Sequence, residues 1–332
     1  MKLLLIGFGF IGRSLVKAIR SKIDLIKQID QDFKVIGVSD RKGYQYDEEG
    51  LNLERLSGID RLQDYSKAYY EGGSSIELIE RCTANLMVEV TPTNIRDGEP
   101  GLTHIKEALS RGINVVTSNK GPLVVAFKEL SSLAERNSCE FKYEGTVAGA
   151  VPIFSLVNEC LQGDRIFRIS GILNGTTNYI LSRMFFEGTS FEIALKEAQE
   201  RGITEKDPAY DVDGIDAACK VVILANAIMK RDARFGDVKI TGIQGITSEA
   251  VSSAKRSNYA IKLIGMIEKD LEVAPKLIPV NHPLCIHGTL NAIHLEADLA
   301  GELTLIGHGA GKETVSALLN DVLSILRKKV IA

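Results

Sequence analysis

The residue most out of place in this sequence is Lys220. It is the only charge between Asp216 and Lys230, set in Ala-Ala-Cys-Lys-Val-Val-Ile-Leu-Ala-Asn-Ala-Ile-Met. A helix with so little polar surface is buried on most sides. An isolated ammonium there must find a partner or give up its charge. Asp216, one helical turn earlier on the same face, can be that partner. A lysine held this way can pass a proton to or from an oxygen; the bland alternative is a structural ion pair, or a stem reaching solvent. Upstream, Glu205, Asp207, Asp211 and Asp213 crowd the loop before the positive end of the same helix. Such acids bind a cation or a substrate amine, or simply form a solvated loop.

A second chemical signal opens the chain. Gly7-Phe-Gly9-Phe10-Ile11-Gly12 follows an apolar run directly and begins a helical pattern. In that context Gly7 permits a tight turn, Gly9 lets backbone approach a pyrophosphate, and Gly12 allows close helix–strand packing. The helix N-terminus then offers free N–H groups to phosphates. The carboxylate expected on a ribose is Asp40, 28 residues after Gly12 rather than the usual ~20, a gap that a long first helix explains. Arg41 and Lys42 beside it could instead hold a 2′-phosphate, so NAD and NADP both remain open. Thr91-Pro92-Thr93 and Ser118-Asn119-Lys120 end two further apolar runs, where ligands of such sheets gather.

These residues need elements to position them. Lys2–Ile6, Phe33–Ser39, Leu86–Val90 and Ile113–Thr117 are unalternating apolar runs separated by helical or polar stretches. They predict an α/β, Rossmann-type doubly wound parallel sheet. Helices are expected over Ile11 to about Ile29, His104–Leu109 and Thr314–Lys328, with Arg41–Gly73 left polar and irregular. In the middle, Phe191–Arg201 has one apolar face, opens on Thr189-x-x-Glu192 and stops at Gly202. Ala260–Glu268 and His287–Ala292 suggest a mixed sheet in a second, α+β domain. The expected division is 1–147 with 306–332 for dinucleotide binding, and 148–305 for substrate binding and catalysis.

The 332 residues suffice for two cores. A net charge of −3, with 40 basic and 43 acidic residues and no basic stripe, argues against a nucleic-acid partner. Five scattered cysteines with no CxxC pair fit neither a disulfide framework nor a zinc site, and suit a reducing cytoplasm. Glycines interrupt the apolar start after four residues, and Val221–Ala225 is far short of the ~20 residues that span a bilayer. A soluble protein without a membrane partner is expected.

Gly-Ile-Thr-Glu205-Lys-Asp-Pro-Ala-Tyr-Asp211-Val-Asp-Gly-Ile-Asp216-Ala-Ala-Cys-Lys220 closely resembles the signature of the homoserine dehydrogenase family. GFGFIG, TSNKGPL, Tyr143–Pro152, Gly171–Tyr179 and GHGAGKETVSALLND extend the likeness over nearly the whole chain. The resemblance implies a short, monofunctional, dimeric, cytoplasmic enzyme that interconverts L-homoserine and L-aspartate 4-semialdehyde with NAD or NADP, in threonine, methionine and isoleucine biosynthesis. It implies Lys220 as general acid/base, Asp216 as its orienting partner, and Lys120 beside the reacting oxygen and the nicotinamide. Glu205 and Asp211 would hold the amino acid. The cofactor would meet Gly7, Gly9, Phe10, Ile11, Gly12, Asp40, Arg41, Thr91, Lys120 and Gly311. Glu144, Val147, Gly149 and Val151 match a monovalent cation site, for Na+ or K+. The chain departs from relatives at Tyr210-Asp211, where some carry two aspartates, at Gly145, and at Lys312-Glu313.

Two other readings compete. Another two-domain NAD(P)-dependent oxidoreductase would share the glycine turn. An aspartate-semialdehyde dehydrogenase would also need a nucleophilic cysteine, for which Cys219 is the nearest candidate. A non-catalytic dinucleotide sensor would bind cofactor without turnover.

Overall fold

The computed structural model describes residues 1–309 and 311–331, with side chains described up to 328. The chain forms two compact units, Met1–Thr146 with Gly311–Ala332, and Val147–Ala310. The second begins at 147 and runs five residues past the expected 305, because the last strand of its sheet pairs as far as His308.

The first unit contains, in order, β1 (Lys2–Ile6), α1 (Phe10–Ser21), α2 (Ile23–Ile29), β2 (Lys34–Ser39), β3 (Gly43–Tyr46), α3 (Leu53–Ser57), β4 (Tyr70–Glu71), α4 (Ser75–Arg81), β5 (Leu86–Glu89), α5 (Gly101–Ser110), β6 (Asn114–Thr117), α6 (Lys120–Arg136) and β7 (Phe141–Lys142). Its sheet runs β4-β3-β2-β1-β5-β6-β7. The five strands from β2 to β7 are parallel, and β3 and β4 add an antiparallel edge. The continuous apolar runs read as strands because helices cover both faces. Leu3 and Leu5 pack into one core with Leu15, Val16 and Ile19 of α1, while Leu4 and Ile6 face the opposite core with Ile105 and Leu109 of α5. The order in which strands are laid down reverses between β1 and β5, so the carboxyl ends of these strands form the crevice where such sheets bind ligands.

Two expectations fail in this unit. The single helix expected to Ile29 breaks at Lys22, whose φ of −115° and ψ of 16° end α1. The Ser21 hydroxyl donates back to the Ala18 carbonyl at 2.9 Å, a local bond that competes with the helix. The polar region 41–73 holds β3, β4 and α3; Tyr44 is fully buried there although its neighbours are Gly43 and Gln45.

The second unit contains α7 (Ile153–Cys160), β8 (Ile166–Ile172), α8 (Gly175–Glu187), α9 (Phe191–Glu200), α10 (Ala209–Val212), α11 (Ile215–Ala227), β9 (Val238–Ile240), α12 (Ser248–Arg256), β10 (Tyr259–Ile267), β11 (Leu271–Pro279), β12 (Leu290–Ala297) and β13 (Gly301–His308). Its mixed sheet runs β13-β12-β8-β10-β11-β9, antiparallel except for the β11–β9 pair. The side chain capping α9 is Ser190, not Thr189: the Ser190 hydroxyl accepts from the Ile193 N–H at 3.4 Å. Gly202, in the left-handed region at φ +67°, ends that segment as expected.

The chain then returns to the first unit as α13 (Lys312–Ile331), longer than the stretch expected from the sequence. Val315, Leu318, Val322, Leu323, Ile325 and Leu326 of α13 complete the core around Leu3, Leu5 and Val16.

Candidate active site

The glycine turn has the geometry its spacing predicts. Gly7 adopts φ +109°, and a Cβ there would stand 2.8 Å from the Val90 carbonyl oxygen and 3.2 Å from the Thr91 nitrogen. A Cβ on Gly12 would lie 2.0 Å from the Gly7 carbonyl oxygen, so α1 packs against the turn only with glycine at this position. Gly9 differs: among the described residues outside the adjoining turn, no atom lies within 4 Å of the Cβ it lacks. It is the N-cap of α1 and places no side-chain cap on the first-turn N–H groups, and that turn carries no acid. Orphan N–H groups at an unobstructed helix start suit a pyrophosphate. Phe10 is exposed and Ile11 half-buried beside them.

The flanking strand ends are built to match. Gly7 donates its N–H to the Ser39 carbonyl at 3.0 Å, which sets the turn beside Asp40. The Asp40 Oδ1 accepts from the Lys42 and Gly43 N–H groups at 2.8 and 3.1 Å and from the Tyr69 hydroxyl at 2.9 Å. Among the described residues Oδ2 has no recorded hydrogen bond, which leaves it for a ribose hydroxyl, while Arg41 and Lys42 are exposed. At the ends of β5 and β6, Glu89 is fully buried and acts as a post. Its Oε1 accepts from the Thr91 N–H at 2.9 Å and from the Thr91 hydroxyl, and its Oε2 accepts from the Thr117 hydroxyl at 3.1 Å. Asn119 caps α6 through the Gly121 N–H at 3.1 Å and donates to the Thr91 hydroxyl at 3.2 Å. Lys120, half-buried, is therefore the first residue of a helix tied to Thr91. Nothing in the sequence marked Glu89 except its place as the one charge inside an apolar strand.

The second unit holds Lys220. Every residue of α11 from Asp216 to Ala227 is buried, as the missing polar face required. Gly214, at φ +83°, turns the chain into the helix. The Lys220 ammonium donates to the Asp216 Oδ2 at 2.7 Å and to the Leu173 carbonyl at 2.5 Å. Burial is thus met by pairing.

Local bonds separate the four upstream acids. Asp207 accepts the Ala209 N–H at 3.1 Å, and Asp213 accepts from the Gln244 amide, so both are spent on the loop. Asp211 accepts from the Thr204 hydroxyl at 3.0 Å and from the Asn174 amide at 2.7 Å. The same Asn174 nitrogen donates to the Asp216 Oδ2 at 3.0 Å. Asp211, Asp216 and Lys220 therefore form one bonded group, whereas Glu205 is exposed. Tyr210 donates or accepts at 3.4 Å with Cys219, and burial pushes its hydroxyl pKa well above the usual phenol value. Cys219 is itself fully buried, the environment of a packing residue.

Of the cation candidates, Glu144 is buried in the first unit. Its backbone N–H donates at 2.9 Å to the Oδ2 of Asp321 on α13. Val147, Gly149 and Val151 lie in a tight turn of the second unit, where Ala148 and Gly149 are both left-handed at φ +54°. Gly311 is left-handed at φ +81°.

A second buried lysine escaped the sequence reading, although a charge inside the apolar run Ala260–Ile267 was a signal. Lys262 is 1% exposed and donates to the Asn178 Oδ1 at 2.8 Å and the Ser182 hydroxyl at 3.3 Å, with His287 Nδ1 at 3.3 Å. Burial lowers its pKa to about 8, and burial followed by the Lys262 charge lowers that of His287 to about 4. Between about pH 8 and 10.5 the unfolded lysine holds a proton that the folded one has released, so stability rises with pH in that window. The Tm of the parent should climb relative to that of Lys262→Met over this range; parallel Tm–pH curves would refute the shift.

A family model described as "Homoserine dehydrogenase, NAD binding domain" matches residues 7–144, and one described as "Homoserine dehydrogenase" matches residues 152–323. The chain is 45% identical over 330 residues to the homoserine dehydrogenase of Methanocaldococcus jannaschii, covering 98% of each. It is 36% identical to the NAD(+)-dependent homoserine dehydrogenase of Pseudomonas canavaninivorans, covering 98% of this chain and 96% of that one. A hyperthermophilic archaeal homoserine dehydrogenase mutant solved in complex with NADPH aligns with a TM-score of 0.84 at 30% identity, covering 97% and 96% of the two chains. With its NAD-binding sheet, its mixed-sheet second unit and this agreement along almost its whole length, the chain belongs to the homoserine dehydrogenase family of NAD(P)-dependent oxidoreductases.

Proposed function

We propose that the protein oxidises L-homoserine to L-aspartate 4-semialdehyde with NAD+ or NADP+, and runs the reverse reduction, with Lys220 moving the proton. The observation that carries this reading is the bonding of the Lys220 nitrogen. An amine nitrogen has four tetrahedral positions; one holds the side-chain carbon, and the Leu173 carbonyl and Asp216 take two hydrogens. The fourth position is a lone pair when the amine is neutral and an N–H when it is charged. A substrate hydroxyl placed there gives up its proton to the lone pair, and a carbonyl oxygen receives one back. Asp216 keeps the amine from rotating and balances its charge.

The nicotinamide, when bound, takes or returns the hydride at the substrate carbon. Gly7, Gly9, Gly12, Phe10 and Ile11 would seat its pyrophosphate and Asp40 its ribose, with Arg41 and Lys42 available to a 2′-phosphate. Thr91 and Lys120 would meet the nicotinamide side, and Gly311 the returning edge of the cofactor. Asp211 and the exposed Glu205 would hold the substrate ammonium. Glu144 and the backbone carbonyls of Val147, Gly149 and Val151 are the oxygen donors that the resemblance offers to Na+ or K+. The Val151 carbonyl already accepts the Ile153 N–H at 2.8 Å and keeps a second lone pair.

We further read the protein as a cytoplasmic homodimer, with the unit Met1–Thr146 and Gly311–Ala332 serving the cofactor and the unit Val147–Ala310 serving substrate and partner. Five free thiols support a reducing compartment. The homodimer follows the family resemblance set out above. No helix among the described residues is long and apolar enough to cross a membrane.

Purified protein mixed with homoserine and either NAD+ or NADP+ should form reduced nicotinamide, followed by its absorbance. Dinucleotide binding without turnover of homoserine would instead establish the sensor reading.

A further inference from the structure

Asn174 lies where β8 gives way to α8, and two of its three side-chain hydrogen bonds converge on the residues argued above to do the chemistry. Its Oδ1 accepts the Thr177 N–H at 2.9 Å, which caps α8. Its nitrogen donates one hydrogen to the Asp211 Oδ1 at 2.7 Å and the other to the Asp216 Oδ2 at 3.0 Å. Turning the amide over would face its oxygen to two carboxylates and its NH2 to a backbone N–H, so the surrounding bonds admit one orientation only. Asn174 is 5% exposed, and the backbone just before it supplies the carbonyl of Leu173 that holds Lys220. One residue thereby touches both acids, and its neighbour touches the lysine.

We propose that Asn174 is a positioning residue that couples ammonium recognition at Asp211 to proton transfer at Lys220. This rests on the roles given above to Asp211 and Lys220. Two carboxylates that share one donor group lie close together and repel each other, and the NH2 partly offsets both charges. When a substrate ammonium reaches Asp211, that carboxylate draws less on the shared amide. The amide then binds Asp216 more fully, and Asp216 holds the Lys220 proton less tightly. Arrival of the amino group at one acid thus prepares the amine to accept the hydroxyl proton. The same link favours amino-acid alcohols over alcohols of equal length that lack the ammonium.

Helix capping and bridging can be separated by substitution. Serine caps a helix about as well as asparagine, so Asn174→Ser keeps the bond to Thr177 and removes the NH2. Its Tm should fall less than that of Asn174→Ala, which loses the cap as well as the two charge-assisted bonds. The kcat for homoserine oxidation should fall about 10- to 100-fold. The alkaline-going limb of kcat should also move to higher pH, because two less compensated carboxylates keep a proton on the amine. Asn174→Asp, which adds a third carboxylate to the group, should move the limb further in the same direction.

Comparison of Asn174→Ser, Asp211→Asn and the double variant then tests the coupling. If the amide acts through the acids, the double variant should be no worse than the poorer single variant; independent roles would multiply the two losses. Multiplied losses, an unmoved pH limb, or parental rates in Asn174→Ser would each overturn the proposal. So would parental kinetics in Asp211→Asn, which would show that the acid does not serve the substrate. Failure of the broader reading looks different, since then the unaltered protein does not turn over homoserine at all.

Discussion

Lys220→Ala is expected to lower kcat for homoserine oxidation by about 10²- to 10⁴-fold, the range contributed by a positioned acid–base group. The dissociation constant for the dinucleotide should stay within about twofold, because the glycine turn belongs to the other compact unit. The loss should fall on kcat rather than KM, since the amine acts on the reacting oxygen and not on the ammonium end of the substrate. One complication can be removed by design. Alanine leaves Asp216 buried without its cation, and breaking such a pair costs about 3–5 kcal/mol of stability. The double variant Lys220→Met with Asp216→Asn removes the orphaned charge. It should recover the parental Tm while remaining as inactive as the single variant. Near-parental turnover in either variant would take Lys220 out of the mechanism.

The second large effect concerns two glycines three residues apart that should fail in different ways. In Gly12→Ala the new methyl must push away the Gly7 carbonyl, 2.0 Å distant, and that backbone has little freedom because Gly7 itself touches Val90. Overpacking of this kind costs about 1–3 kcal/mol, and the distorted turn should weaken dinucleotide binding by at least about 10- to 100-fold. Both Tm and cofactor affinity should therefore fall. Gly9→Val places its Cβ where, outside the adjoining turn, no atom of the described residues lies within 4 Å. Its Tm should be close to that of the parent while dinucleotide binding is lost to the same degree. Isothermal titration with NAD+ and NADP+, alongside thermal unfolding, separates the two cases. Retained affinity in Gly9→Val would mean that the pyrophosphate does not approach this backbone.

Several of these residues were legible in the sequence because their chemistry conflicts with their surroundings. Lys220 stood out as a charge in an oily helix. The glycines stood out because turn, strand and helix all agreed on them. The parallel strands announced themselves by unbroken apolar runs, which only a sheet covered on both faces can use. What stayed hidden was short or polar. The strand β3 contains Gly43 and Gln45 and buries Tyr44, so no alternation or apolar run marks it. Asn174 looked like one more polar residue in a glycine-rich stretch, and only the fold shows that its amide meets two acids distant in sequence. Lys262 was passed over because a strand can hide a long side chain against a neighbouring helix, here through Asn178 and Ser182 of α8. Helix limits were the weakest readings: Ser190 rather than Thr189 caps α9, since adjacent hydroxyl residues compete for the same role.

Because α13 supplies Val315, Leu318, Val322 and Leu326 to the core around β1, a unit whose synthesis starts before that of the mixed sheet is finished after it. A nascent chain emerging from the ribosome can close the mixed sheet while the nucleotide-binding half still shows an open hydrophobic seam. That seam is covered only when translation reaches the C-terminal helix. Premature termination before residue 312 should therefore yield a chain whose oldest half is the aggregation-prone one.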